Sequence, residues 1–486
     1  MSSPSLEASP ISLVPDDVLH EIFHQAAALS FGRWPMFDYS GCLALSHVCR
    51  YWRRLSFASP QLWSFIYVNS RTSLSMLHTY LGRSLDSPLH VKFEGQRSIL
   101  DSTDDIGCRA RVVSSHVDRI VEFHALRLRP TEMSTVLAAF THPAPVLRSL
   151  TLQADAQMLS RAIFSGRMPL LRRVDIRGIS MGWLSCADLT ALVLHDQLVP
   201  PLHRLLWTLS MCSSLQVLSL RLLGALGEVE SQQTQHDLMV GLPYLTKLSL
   251  GLHVRDDVLT VLSHLSFPPS TSVSLHFTGI HQPAVDITHC CPSLAAIINN
   301  EKDLTVELTG AYMWSTYVAI RTPRNRLHLQ WEWVEDGIHN DMIDFVGFST
   351  VTFPALRHLT ISANSYRLTE DRWLQILASV PSVTSLELDF RDSMVLAFLD
   401  AFTRKHRVSD ESSASVLACP NLARVCISRI EEQESVLEKM AASLRTRALE
   451  GSNLESLEIL LRTQKDFPSS AYDSLVEIIP RVAIRY

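Results

Sequence analysis

One spacing returns along most of the chain and restricts its fold more than any other feature. An apolar residue is followed by two variable ones, a second apolar residue, one variable residue and a third apolar one. It occurs at Leu147/Leu150/Leu152, Leu171/Val174/Ile176, Leu189/Leu192/Leu194, Leu215/Leu218/Leu220 and Leu245/Leu248/Leu250. It returns at Leu356/Leu359/Ile361, Val383/Leu386/Leu388, Leu422/Val425/Ile427 and Leu454/Leu457/Ile459. Side chains two apart lie on one face of a strand, so each unit supplies a short strand with one buried face. Pro145, Pro169, Pro243, Pro354, Pro381 and Pro420 stand just before units, where proline stops a preceding helix and favours extended backbone. Helical spacing fills intervening stretches such as residues 371–377, with Trp373, Ile376 and Leu377 inward, and 434–444. Strand, crossover, strand gives parallel pairing. No unit buries its face alone, so neighbours must stack.

The pattern is less regular elsewhere. Residues 89–93, 119–123 and 125–128 read as strands, 132–140 as a helix and 98–105 as a polar loop. Between Ser272 and Trp333 the repeat is hardest to follow. There, residues 273–275, 294–298, 304–308 and 327–329 read as further strands. Two polar insertions, 227–237 and 404–415, separate units, and loops on a rigid scaffold commonly carry recognition.

The first seventy residues are different. Pro15 suits a first helical position, and Asp16 and Asp17 meet the positive end of the helix dipole. Val18, Leu19, Ile22, Phe23 and Ala26 then recur at helical spacing, as one apolar stripe. Leu45, Val48, Cys49, Trp52 and Leu55 read as a second stripe, with Arg50, Arg53 and Arg54 largely off it. Pro60 opens a third turn with Leu62 and Trp63. Three short helices in so few residues bury little surface, and the exposed remainder calls for a protein partner.

These residues carry a resemblance. Leu13/Pro15, Val18, Leu19, Ile22 and Phe23, then Leu45, Val48, Cys49 and Trp52, then Pro60, Leu62 and Trp63 resemble an F-box, as found in fungal F-box proteins. A long spacer between Phe23 and Leu43, expected to loop out, departs from the family pattern. The resemblance implies docking, through these thirteen residues, on a Skp-family adaptor and through it on a cullin-type ubiquitin ligase. From about residue 145 onward the strand units resemble leucine-rich repeats. The family's turn Asn stands at Asn364 but is missing from most units, so an irregular curvature is expected.

Composition sets the remaining bounds. Hydrophobic residues make up 47% and charged residues 19% of 486, an ordinary globular balance with ample core. The formal charge of -6 offers no basic field for nucleic acid. Nine cysteines with no C-x-x-C pair argue against a disulfide framework and for a reducing compartment. Lys and Arg are absent before Arg33 and no apolar h-region is present, so no signal peptide is expected. No apolar run reaches bilayer length, so no membrane span is expected either. A cytoplasmic or nuclear setting follows as an expectation.

Two motifs raise enzymatic alternatives. His20-Glu21-Ile22-Phe23-His24 is a literal H-E-x-x-H, which on a helix can hold zinc with the Glu as general base. A third ligand is wanting, since Ser30 stands where one class of such enzymes has its third His. Gly178-Ile179-Ser180-Met181-Gly182 matches G-x-S-x-G, but the next strand begins too soon for the helix that a nucleophile elbow needs. His289-Cys290-Cys291 lacks partner ligands at suitable spacing, and Trp331 and Trp333 could supply an exposed aromatic anchor or core. No cofactor motif is present.

The expected architecture is therefore α/β. A loose tail (1–10) precedes a three-helix F-box (11–68), a transitional segment with first irregular repeats (69–144), and a leucine-rich-repeat-like solenoid of parallel strands with helical crossovers (145–486). The expected function is non-enzymatic: a ligase substrate receptor that holds an unknown target protein. A scaffold acting outside any ligase, and a hydrolase at His20/Glu21/His24 or Ser180, are the alternatives.

Overall fold

In the computed structural model the described residues are 10–32, 41–69, 71–95, 106–158, 162–180, 187–224, 239–252, 255–278, 287–310, 315–323, 326–334, 353–363, 368–389, 392–407, 415–430, 434–461 and 469–485. They form two compact units. One comprises residues 1–200 and 207–217, the other 201–206 and 218–486.

The first unit begins with helices α1 (Asp16–Gly32), α2 (Gly41–Val48) and α3 (Arg50–Ala58) and a 3-10 turn, Pro60–Trp63. A ladder follows directly: β1 (Phe65–Val68), β2 (Leu89–Glu94), β3 (Ile120–Leu126), β4 (Ser149–Met158), β5 (Arg173–Ser180) and β6 (Ala191–Leu198). Each strand pairs in parallel with the next. Helices α4 (Leu74–Arg83), α5 (Ile106–Ser114) and α6 (Pro130–Ala139) are crossovers. The parallel ladder thus starts at Phe65, well before the recurring spacing is legible. Ile120, Phe123 and Ala125 are fully buried and repeat the same spacing with aromatic and small residues.

In the second unit the strands are β7 (Val217–Leu223, from Leu218 on), β8 (Val240–Gly241), β9 (Lys247–Leu252), β10 (Leu265–Ser266) and β11 (Ser272–Thr278). They continue with β12 (Asp303–Gly310), β13 (Ser315–Arg321), β14 (Leu327–Val334), β15 (His358–Ala363) and β16 (Ser385–Asp389). The last are β17 (Lys405–Arg407), β18 (Ser415–Leu417), β19 (Arg424–Ile430), β20 (Ser456–Leu461) and β21 (Arg481–Arg485). β15, β16, β19, β20 and β21 pair in sequence order and in parallel.

Register explains the repeat. Leu359, Leu386, Val425 and Leu457 stand side by side across four strands, as do Ile361, Leu388, Ile427 and Ile459. All eight are buried. The leading apolar residue of each unit, such as Leu356 or Val383, is buried in the turn before its strand. At the expected helical stretches the helices Glu370–Ser379 and Glu434–Leu449 occur, and Trp373, Ile376 and Leu377 are buried.

The stretch between β11 and β15 departs from uniform parallel pairing. β14 lies beside β11 in parallel, β12 lies beside β15 in parallel, and β13 joins them antiparallel on both sides. A three-stranded meander is thereby set into a parallel ladder, with its chain order reversed relative to its neighbours. Residues 294–298, read above as a strand, belong instead to the helix Pro292–Ile298. Its buried Leu294, Ile297 and Ile298 have the three-four spacing of a helix face, which a five-residue apolar window does not separate from a strand. The flanks of the 404–415 insertion pair as an antiparallel ribbon, β17 with β18. Residues 1–9, 98–105, 227–237, 364 and 408–414, all singled out above, lie outside the described residues.

Arg447 stitches one corner of the second unit. It is 1% exposed. Its guanidinium donates to the carbonyls of Phe402, Ala418 and Cys419 at 2.8–2.9 Å and to Ser452 Oγ at 2.9 Å, and it lies 3.9 Å from the Phe402 ring centre. Burial brings its pKa down to about 10, so it stays charged at neutral pH. Replacing Leu386 by Ala is expected to cost about 3 kcal/mol, because a cavity opens in the ladder. Arg447→Met should cost about as much, through the acceptors left bare. Exposed Arg173→Ala should stay within about 0.5 kcal/mol. Urea unfolding of the full chain measures all three.

Candidate functional site

The helical module is held together from within. Cys49 is an N-cap: its backbone is extended and its Sγ accepts from Trp52 N–H at 3.4 Å, starting α3. The stripe read above as one helix is therefore two, with the break at Cys49, and Cys49 is an exposed cap rather than an apolar contact. Arg53 Nε donates to Ser46 O at 2.9 Å, satisfying a carbonyl near the end of α2. Tyr51 donates to Asp16, joining α3 to the start of α1. Trp52 packs on Phe23 with ring centres 4.6 Å apart.

The thirteen docking candidates divide on burial. Leu19, Phe23 and Trp63 are fully buried and Leu62 is 1% exposed, so these four pack the module and do not present a face to a partner. The Trp63 indole donates to Ser56 O at 2.8 Å and meets Tyr80 edge-on at 5.0 Å. The Arg83 guanidinium sits 4.3 Å from its ring and 4.1 Å from that of Phe57. A sequence pattern cannot make this separation, because a stripe two residues wide on a short helix serves core and partner alike.

What stays outside is also apolar. Leu13 is 77% exposed, Val18 45%, Ile22 47%, Leu29 60% and Val48 60%. Pro15 is exposed, and Leu45, Trp52 and Pro60 are half-buried. Val18, Ile22 and Leu29 recur at four and seven residues along α1, one continuous stripe. Leu29 was missed in the sequence because the stripe appeared to end near Ala26. The helix runs on to Gly32 through part of the expected loop, and residues 33–40 lie outside the described residues.

The opposite side of α1 lies on the ladder. His24 and Phe31 each come within 5.5 Å of the Phe65 ring on β1. Phe31 also meets His90 on β2 and His124 on β3, at 6.3 and 6.0 Å. Beneath it Glu122 lies 3.1 Å from His90 Nδ1 and 3.7 Å from His124 Nε2. Lys92 Nζ donates to Phe31 O at 3.4 Å and lies 3.5 Å from Glu94, which also accepts from Tyr67 at 3.0 Å and pairs with Arg127. Burial pulls the Lys92 pKa down, and the nearby Arg127 adds to this. Helix α1 thus has an apolar outer stripe and an inner side seated on charged groups of the sheet.

The enzymatic motifs are placed otherwise. His20 contacts Ser59 Oγ at 3.2 Å, the His24 ring lies tilted against Phe65, and Glu21 accepts from Gln25 at 2.8 Å. No group of three His, Cys, Asp or Glu fit to hold a metal occurs among the described residues. Gly178 has φ +66° inside β5, Ser180 ends that strand, and residues 181–186 lie outside the described residues. Cys291 is buried with its thiol toward Leu265 O, and burial raises its pKa. Trp331 and Trp333 lie in β14, with side chains outside what is described.

A family described as F-box-like matches residues 11–69. No curated protein matches the chain. No helix among the described residues is long and apolar enough to cross a membrane.

The Glu122 carboxyl carries a pH signature. Hydrogen bonds from His124 and His90 hold its pKa well below the usual carboxylate range, against the opposing effect of burial. Its folded-state pKa is below its unfolded one, so its stabilisation is complete above about pH 4.3 and fades as pH falls further. Glu122→Gln should therefore lower the melting temperature more at pH 6 than at pH 3. Parallel melting curves at the two pH values check this.

Proposed function

We propose that the F-box-like domain at residues 11–69 docks on a Skp-family adaptor, and through it on a cullin. In this reading the two sheet-bearing units hold a target protein. The chain then acts as the substrate receptor of a ubiquitin ligase and performs no bond chemistry itself. It supplies proximity, raising the local concentration of a target lysine near a charged conjugating enzyme. The observation that carries the docking half is the exposed stripe of Val18, Ile22 and Leu29, with Leu13 and Val48, on a domain whose core is already filled by Leu19, Phe23 and Trp63. Solvent-facing aliphatics grouped on one helix face mark a partner surface.

We read the strand-and-crossover ladder as leucine-rich-repeat-like, with the meander of β12 to β14 as its irregular part. Support comes from the in-register apolar pairs. Such a ladder keeps its outward strand positions free for a ligand. A cytoplasmic or nuclear location fits cysteines that form no disulfide among the described residues.

Ile22→Asp combined with Val18→Asp should reduce capture of a Skp-family adaptor by more than tenfold while the melting temperature of the full chain changes little. Leu19→Asp should lower the melting temperature instead, since it buries a charge in the module. Pull-down and thermal melting on the same preparations separate the two effects. Undiminished capture by the Val18/Ile22 double variant would refute the docking reading. Capture of adaptor without cullin would favour a scaffold outside the ligase.

A further inference from the structure

The choice between the two strong bases is lopsided in this chain. Of its 43 lysines and arginines, six are lysines: Lys92, Lys247, Lys302, Lys405, Lys439 and Lys465. The first unit holds one of them, Lys92. Its exposed basic positions, such as Arg50, Arg54, Arg111, Arg148 and Arg173, carry arginine instead. Either base would be solvated there, and both bring the same charge. They differ as nucleophiles. A lysine amine can give up a proton and attack a carbonyl, whereas a guanidinium stays protonated.

Lys92 itself is closed off. It is 7% exposed, and its Nζ donates to Phe31 O at 3.4 Å and lies 3.5 Å from Glu94, between α1 and the ladder. The second unit is different. Lys247, at the start of β9, and Lys302, just before β12, are exposed and make no ion pair among the described residues. Lys405 and Lys439 are held by Glu450 and Asp400, each at 2.6 Å, so each amine must leave a carboxylate before it can react. Lys465 lies outside the described residues.

We propose that the first unit is closed to ubiquitin transfer for want of a reachable amine, and that transfer to the chain itself falls on the second unit, at Lys247 and Lys302 ahead of Lys405 and Lys439. The proposal rests on the ligase reading above. In the transfer step a neutral lysine Nζ attacks the thioester carbonyl that joins ubiquitin to the conjugating enzyme's cysteine. The carbon–sulfur bond breaks, the thiolate leaves, an isopeptide C–N bond forms, and the amine's proton passes to solvent. A receptor held beside the charged enzyme is exposed to this reaction for as long as it waits for a target. Arginine lets the unit that carries the docking module keep its basic charge without becoming an acceptor.

The test reconstitutes the full chain with a Skp-family adaptor, cullin, charged conjugating enzyme and ubiquitin, then maps the ubiquitin remnant on each lysine by peptide mass spectrometry. Occupancy at Lys92 should lie about tenfold or more below that at Lys247 and Lys302, because its amine reacts only when the core opens. The double variant Arg148→Lys/Arg173→Lys keeps both charges on exposed side chains. It should gain the remnant on the first unit, to within about threefold of Lys247. Remnant at Lys92 equal to that at Lys247, introduced lysines left bare while Lys247 is modified, or no remnant on a chain that has captured adaptor and cullin would each overturn the proposal. A water-soluble acylating reagent applied to the chain alone reads amine access without any adaptor. Lys92 should react about tenfold more slowly than Lys247, and equal rates would overturn the closure of the first unit. Failure to capture adaptor counts against the docking reading alone, since the acylation rates are measured independently of it.

Discussion

Everything in the two units depends on apolar side chains matching across strands in register. A strand with one buried face has nothing to bury it against until a neighbour offers the same spacing at the same height. Leu386 sits between Leu359 and Val425, and Leu388 between Ile361 and Ile427. A slip of one residue would carry both to the outward side, where Glu387 now stands, so the repeat fixes register as well as strand identity. The same alternation leaves the outward positions free to differ. That is why polar groups as unlike as Arg221, His328 and Glu387 occur on that side without cost to the core.

The N-terminal module obeys a related rule at smaller scale. It is too small to be comfortable alone, and much of its apolar surface is satisfied within the first unit. Trp63 is enclosed by Phe57, Tyr80 and Arg83, and Phe31 lies on Phe65, His90 and His124. It is therefore no independent knob. Helix α1 is shared: one side belongs to the sheet, the other is left bare for a partner.

How much was legible in the sequence follows from these constraints. The apolar spacing between 147 and 250 and again from 356 is strong because every unit faces the same packing problem, and each of those positions is buried. It is fainter at β2 and β3, which read as strands but carry Val91 with Phe93 and Phe123 with Ala125 where later units have leucines, and it fails around 294–298, where strand and helix periods coincide over five residues. The meander escaped notice because alternation gives a strand's buried face but not its direction. In the module, residue identity marked the right segment but not the right role. Leu19 and Ile22 look alike on paper, yet one is core and the other surface. Cys49 passed for an apolar residue although its sulfur caps a helix. The contact of Ser274 with His328 was invisible, since the two lie 54 residues apart and meet only because β14 folds back beside β11.

That fold-back bears on how the chain assembles as it is made. β1 to β6 can be laid down in the order in which they leave the ribosome, each onto the one before. β11 cannot, because its outer neighbour is the last strand of the meander rather than the next strand synthesised. Its edge stays open until β12 and β13 have also emerged, and chain growth and sheet growth run in opposite directions over that interval. The window before residue 334 is accordingly the one in which that strand edge waits for its partner.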